Sequence, residues 1–181
     1  MSDVITKLDQ IIEKSLRLLA KDIHVQGWYG KENDWVNYFA HKYLLPQRSN
    51  RGPLRDAGQI CIEVSIPQPP SRIYLKPSVR RDLVIWPKCG DVAFDAQWVP
   101  CKHPLAILEW TVLRPKRKKK KRIFEKERKW LRDYCRWQPS VLGYAILVDA
   151  ACIPKNLQCS RFLGPTKDDQ WLNLPFGSGS E

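Results

Sequence analysis

Three apolar runs decide the fold: Arg80-Arg81-Asp82-Leu83-Val84-Ile85-Trp86, Leu105-Ala106-Ile107-Leu108-Glu109-Trp110-Thr111-Val112 and Leu142-Gly143-Tyr144-Ala145-Ile146-Leu147-Val148-Asp149. All three read as strands, and an amphipathic helical pattern separates the second from the third. The near-continuous apolar character of the second suits a central strand covered on both faces. Asp82 and Glu109 are the acids inside the first two runs. A buried carboxylate without a partner is costly. Two of them on neighbouring strands point to a shared positive guest, most simply a divalent metal. The competing assignment is a structural ion pair with Arg80, Arg81 or a helix lysine.

Residues i and i+2 of a strand share a face, so Glu109 and Thr111 look one way and Trp110 the other. After this strand comes Arg114-Pro115-Lys116-Arg117-Lys118-Lys119-Lys120-Lys121-Arg122, basic at every position but one. The helical pattern then runs through Ile123, Phe124, Glu127, Trp130, Leu131 and Tyr134 to a stop at Gln138-Pro139. The basic tract joins the Glu109 strand directly to this helix. Its eight positive side chains therefore fall beside the two acids, where a phosphate backbone would pass. A solvated loop and a nuclear-import signal are the other readings of such a run. Arg48, Arg51 and Arg55 are candidates to extend the same surface.

Upstream, Val4, Ile5, Leu8, Ile11, Ile12, Leu16 and Leu19 repeat at helical spacing over residues 3–21. A second helix is expected from about Lys31 to Pro46, capped by Asn33 or Asp34. Glu32 stands at its entrance, either as a first-turn acid favoured by the helix dipole or as a further acid of the site. Residues 59–66 alternate as a half-exposed strand should, and Arg72-Ile73-Tyr74-Leu75 reads as a short edge strand. The long connection from Pro87 to Pro104 has room for a hairpin arm at residues 91–99. Beyond Asp149 the pattern predicts a short helix and a strand over 152–163, then coil and a frayed tail over 164–181. The expectation is one domain over 1–163 with residues 164–181 outside it.

Composition bounds the partners. Lys and Arg number 31 against 19 Asp and Glu, a formal net charge of +12. Such a balance, clustered as it is here, favours a polyanion and nucleic acid first. No apolar run approaches the ~20 residues that a membrane span requires. The six cysteines show no CxxC pair, and several sit in apolar patterns, which reads as a reducing, cytoplasmic setting, or a nuclear one in a eukaryote. Cys89, Cys101 and His103 match no common zinc spacing.

Arg81-Asp82-Leu83-Val84-Ile85 followed by Ala106-Ile107-Leu108-Glu109-Trp110-Thr111, in the order helix, three strands, helix, strand over residues 30–150, resembles the PD-(D/E)XK nuclease superfamily. The resemblance implies an α/β fold of the restriction-endonuclease-like kind, a mixed β-sheet core flanked by helices. It also implies a Mg2+ (or Mn2+) site formed by Glu32, Asp82 and Glu109. Thr111 stands where that family usually carries Lys, and Thr supplies no charge. Lys126 and Lys129 on the following helix are the candidate replacements. Two functions follow. One is a metal-dependent phosphodiesterase acting on DNA, with Asp82, Glu109, Thr111, Lys126 and Lys129 as catalytic positions. The other is a non-catalytic nucleic-acid-binding or assembly module on the same fold. In both, Arg114, Lys116, Arg117, Lys118, Lys119, Lys120, Lys121 and Arg122 bind nucleic acid. No membrane partner is expected, and a homo-oligomer is compatible with either.

Overall fold

The structure, a computed structural model, describes residues 2–26, 30–70, 76–90, 94–96, 98–114, 119–149 and 156–176. Helix α1 spans Asp3–Gln26 and helix α2 Glu32–Phe39. The second helix continues as a π turn over Ala40–Leu44 and a 3-10 turn over Leu45–Gln47, where Pro46 ends it. Strands β1 (Ile60–Pro67), β2 (Ser78–Ile85) and β3 (Ala106–Leu113) follow, then helix α3 (Lys119–Trp137) and strands β4 (Leu142–Asp149), β5 (Asn156–Leu163) and β6 (Thr166–Pro175). They form one six-stranded mixed sheet in the order β1-β2-β3-β4-β5-β6. Every neighbouring pair is antiparallel except β3 and β4, which α3 connects in parallel.

Helices cover both faces. On one, Ile5, Leu8, Ile12, Leu16 and Leu19 of α1 and Trp35, Val36 and Phe39 of α2 pack on Leu108, Trp110, Tyr144 and Ile146. On the other, Phe124, Trp130, Leu131, Tyr134 and Cys135 of α3 pack on Ile107, Ala145, Leu147 and Phe162. Each fully buried aliphatic or aromatic side chain contributes about 1.5–3 kcal/mol. The expectation that β3 is doubly covered is met: all of Ala106–Val112 is buried. Gly143 lets α3 lie close to β4. A Cβ added there would meet Cys135 Sγ at 2.8 Å and Leu131 Cδ2 at 3.3 Å. Across the sheet, the nearly buried Asp9 of α1 accepts from Tyr144 Oη at 2.6 Å and from Arg161 Nη1 at 2.7 Å. That pairing offsets the desolvation of an acid on the inward face of α1.

Several expectations need correction. The pattern predicts coil outside the domain for residues 164–181; instead Thr166–Pro175 is the last strand of the sheet, turning from β5 through Gly164 at φ +55°. Its hydrogen bonds come from β5, and an edge strand tolerates charged residues such as Lys167, Asp168 and Asp169, which hid it from a hydrophobic pattern. Of the short helix and strand expected over 152–163, Asn156–Leu163 is strand throughout, and residues 152–155 lie outside the described residues. α1 runs past residue 21 to Gln26, and α3 begins inside the basic tract at Lys119, since Lys and Arg are good helix formers. The helix after Lys31 is entered from Lys31, whose backbone N–H donates to Asp34 in the first turn at 2.6 Å. The expected edge strand at 72–75 lies outside the described residues, as do 91–93 and 97 of the expected arm at 91–99; the described part of that arm is a tight turn, with Asp95 N donating to the Val99 carbonyl at 2.9 Å beside an isolated bridge between Phe94 and Pro100. Among the described residues no helix is long and apolar enough to cross a membrane.

Candidate functional site

The site begins with a break in alternation. In β1, Ile60 and Ile62 face the α1/α2 core, yet Val64 and Ile66 face the α3 core. In β2, Ile85 and Leu83 face the α1/α2 core, yet Val79 packs on the α3 side. Both strands change face at the same level, where the pairing steps from Ile62↔Leu83 to Val64↔Arg81 over Glu63 and Asp82. Glu63 carries the distortion at φ +52°, a left-handed backbone that costs a non-glycine residue roughly 1 kcal/mol or more. Its side chain accepts from Asn33 Nδ2 at 2.8 Å and pairs with Arg80, whose Nε also donates to the Glu63 carbonyl.

At this level β2 also parts from β3. The two strands pair only at Leu83↔Leu108, Val84↔Ile107 and Ile85↔Ala106. Beyond that point the β3 edge would present unpaired N–H groups. Two carboxylates take them. Trp110 N donates to Asp82 Oδ2 at 2.8 Å, and Val112 N donates to Glu32 Oε2 at 3.3 Å. These N–H groups are two residues apart, roughly 7 Å along the strand. Glu32 and Asp82, 50 positions apart in sequence, are thus brought to one edge of one strand.

Glu109 and Thr111 face α3, while Trp110 points the other way onto Phe39. Glu109 is only 6% exposed, and its Oε2 lies 3.2 Å from Arg81 Nη1. The same Nη1 is 2.6 Å from Glu127 Oε2 on α3, and the guanidinium lies over the Trp130 ring with its Cζ 3.5 Å from the centroid. Trp130 is held in turn by donating to Gln68 Oε1 at 2.9 Å. Two atoms of this cluster have no partner: Glu109 Oε1 and Arg81 Nε. Burial pushes the Glu109 carboxyl well above its usual range; Arg81 opposes that shift, while Asp82 and Glu127 add to it. Asp82 is pushed up to about 6, chiefly by burial and further by Glu32 and Glu127, against the lowering effect of the Trp110 hydrogen bond and Arg81.

Asp82 and Glu109 open onto a pocket of about 460 Å3, lined also by Lys126, Glu127, Lys129 and Trp130 of α3 and by Gln68 and Val79–Arg81. Of the acids and lysines singled out in the sequence, Asp82, Glu109, Lys126 and Lys129 therefore share one cavity. Thr111 is 2% exposed and does not line it. Glu32 reaches the same strand edge from α2 without lining the cavity. Arg114 is exposed and donates to the Gly30 carbonyl at 2.9 Å. Lys116, Arg117 and Lys118 lie outside the described residues, as do the side chains of Lys119 and Lys120. Lys121 and Arg122 are exposed on the first turns of α3. The Arg81–Glu109 pair is the competing ion-pair assignment of the sequence, with Arg81 rather than Arg80 or a helix lysine as the partner; sequence reasoning misses Glu127 as a member of the site. A signal for it is present: Glu127 occupies a position on the inward stripe of α3, three residues before Trp130.

Among the described residues no group of three or more His, Cys, Asp or Glu converges closely enough to hold a metal. The donors nevertheless suit a hard cation, because a buried carboxylate oxygen without a partner is a ligand in waiting. The charge now beside Glu109 is Arg81, so a divalent ion fits only if that guanidinium moves. The Cys89, Cys101 and His103 set does not gather either: the His103 ring nitrogens meet Tyr134 Oη at 2.9 Å and Gln138 Nε2 at 3.2 Å. The chain matches no protein-family model, no curated protein and no solved structure.

Proposed function

We propose that the chain is a nucleic-acid phosphodiesterase, acting on DNA with Mg2+ or Mn2+ at the pocket between β2, β3 and α3. One observation carries this: Glu109, buried and with an unpartnered oxygen, shares that pocket with Asp82 and with the exposed amines of Lys126 and Lys129. The order of a helix, an antiparallel β1-β2-β3 unit, a helix and a parallel β4 supports the restriction-endonuclease-like resemblance. Asp82 and Glu109 would hold the ion, with Glu32 as the nearby third acid. An ion bound there would polarise the phosphodiester and lower the pKa of the attacking water. Lys126 and Lys129 would supply the positive charge that Thr111 lacks, by attracting the non-bridging phosphate oxygens into the pocket. The tract from Arg114 to Arg122 would hold the flanking backbone. A cytoplasmic location, or a nuclear one, belongs to the same reading.

Arg81 favours a second reading. A guanidinium already stands beside Glu109, where a metal would have to sit, which supports a module that binds nucleic acid without cutting it. One assay separates the two. Plasmid and single-stranded DNA are incubated with the protein, with and without Mg2+ or Mn2+, beside the Asp82→Asn and Glu109→Gln variants. The phosphodiesterase reading expects cleavage only with metal, lost in both variants while DNA binding persists. Wild-type protein that binds DNA and cuts it with neither ion would leave the binding module.

A further inference from the structure

Arg81 is placed with more constraint than an ordinary ion pair. Regular alternation would send its side chain to the α1/α2 face with Leu83 and Ile85. The reversal at Glu63 and Asp82 sends it to α3 instead, at the expense of a left-handed glutamate. Observed strain of this kind points to a function for what it positions. The contact it achieves is a poor one for a structural strut. Strong arginine–carboxylate pairs are bidentate, with two parallel N–H bonds. Here one nitrogen, Nη1, serves both Glu109 and Glu127, and both Arg81 Nε and Glu109 Oε1 are left without partners. The pairing is also lopsided. Nη1 is 2.6 Å from Glu127, which is partly exposed, and 3.2 Å from Glu109, which is buried. The flat face of the guanidinium rests on Trp130, an attraction independent of Glu109. Glu127 and Trp130 thus hold Arg81 without help from Glu109, and Glu109 is the partner it loses most easily.

We infer that Arg81 is a latch on the cation site: its guanidinium and a divalent metal exclude one another at Glu109, and Glu127 with Trp130 sets the balance between them. The inference rests on the phosphodiesterase reading for the identity of the site and adds its regulation. With the latch shut, the guanidinium occupies the place beside Glu109 that a metal would take. With it open, Glu109 can turn towards Asp82 and a metal, while Arg81 remains over Trp130 at the pocket wall. Anything that draws the guanidinium outward, a phosphate above all, would open the site as it arrives.

The test uses the full chain with Mn2+ and Mg2+ alone, without DNA. Mn2+ affinity is measured by calorimetric titration for wild type, Arg81→Met and Glu127→Gln. Arg81→Met removes the latch and is expected to bind Mn2+ about 10-fold or more tightly than wild type. Glu127→Gln leaves Glu109 as the carboxylate facing the guanidinium, tightens the latch and is expected to bind Mn2+ more weakly. In wild type, Mg2+ should shift the NMR signals of the Arg81 Nε–H and the Trp130 indole together. If Arg81→Met fails to fold, Arg81→Gln decides, because it keeps a hydrogen-bonding group at the position without the charge. Affinity unchanged or lower in the folded Arg81 variant overturns the latch, and a loss that Glu127→Gln still causes in the Arg81→Met background would make Glu127 a ligand instead. Metal binding to none of the three overturns both the latch and the metal site. Metal-dependent DNA cleavage by wild type with unchanged variant affinities removes the latch alone. Tighter Mn2+ binding with no cleavage keeps the latch and removes the phosphodiesterase.

Discussion

The carboxylate of Asp82 stands in for a missing strand: its Oδ2 accepts the Trp110 N–H at 2.8 Å where β2 has already parted from β3. The acid is therefore an acceptor for buried backbone before it is anything else. Asp82→Asn keeps an oxygen for that N–H, and Asp82→Ala does not. Leaving a buried donor unsatisfied costs about 1–3 kcal/mol. Asp82→Ala is expected to be less stable than Asp82→Asn by that amount in metal-free urea unfolding. Equal stabilities would mean that the strand edge closes or hydrates without the carboxylate.

His103 gives a pH dependence. Burial lowers its pKa below the ordinary 6.5. With the Gln138 amide donating to Nε2, the neutral ring donates from Nδ1 to Tyr134. Protonation would set two donors against each other. The unfolded chain then binds this proton more readily than the folded one. The stability that His103 contributes is whole above pH 6.5 and is lost as the pH falls below that value towards the folded pKa. An NMR titration should place the ring's pKa under 6.5. A ring titrating at or above the ordinary value would refute the arrangement.

Salt dependence reports on the basic tract. If Lys118–Lys121 neutralise phosphates, replacing them by Ala should reduce the log–log salt slope of duplex DNA binding by about 0.9 for each phosphate left without its lysine. Fluorescence anisotropy over a salt series measures it. An unchanged slope would move the binding surface elsewhere, with Lys126 and Lys129 the next to try.

The approach of α3 to β4 predicts a coupled pair. Gly143→Ala places a methyl 2.8 Å from Cys135 Sγ, and overpacking of this kind costs about 1–3 kcal/mol. Cys135→Ala removes the sulfur and leaves space. The double variant should be more stable than the sum of the single changes allows, as read by a double-mutant cycle in denaturant. Strict additivity would show that the strand moves away instead.

Periodicity makes part of the fold legible in the sequence. β2, β3, α3 and β4 carry strong patterns, and their order alone puts Asp82 and Glu109 on adjacent strands. β6 is illegible because Thr166–Pro175 draws its order from hydrogen bonds to β5 rather than from apolar alternation. The site is half legible. Charged residues in apolar runs stand out, so Asp82 and Glu109 do. Arg81 is legible as a candidate ion-pair partner for either acid but its face is not, because an alternating strand would point it the other way, and nothing in a sequence announces that Glu63 adopts a left-handed backbone. Glu127 is legible as an acid on the inward stripe of α3, but its partner is not, because that depends on the face Arg81 takes.

A sheet ordinarily partitions a protein, and what is packed above it is insulated from what is packed below. The change of face within β1 and β2 breaches that partition. The Ile60 and Leu83 ends of the two strands are seated under α1 and α2, and the Val64 and Val79 ends under α3. Cys61 and Val84 keep the first of these ends in contact with the α3 side as well, so both layers grip the same pair of strands. Asp82 at the change of face and Val79–Arg81 beyond it line the pocket, and one continuous strand, β2, joins that wall to the α1/α2 packing.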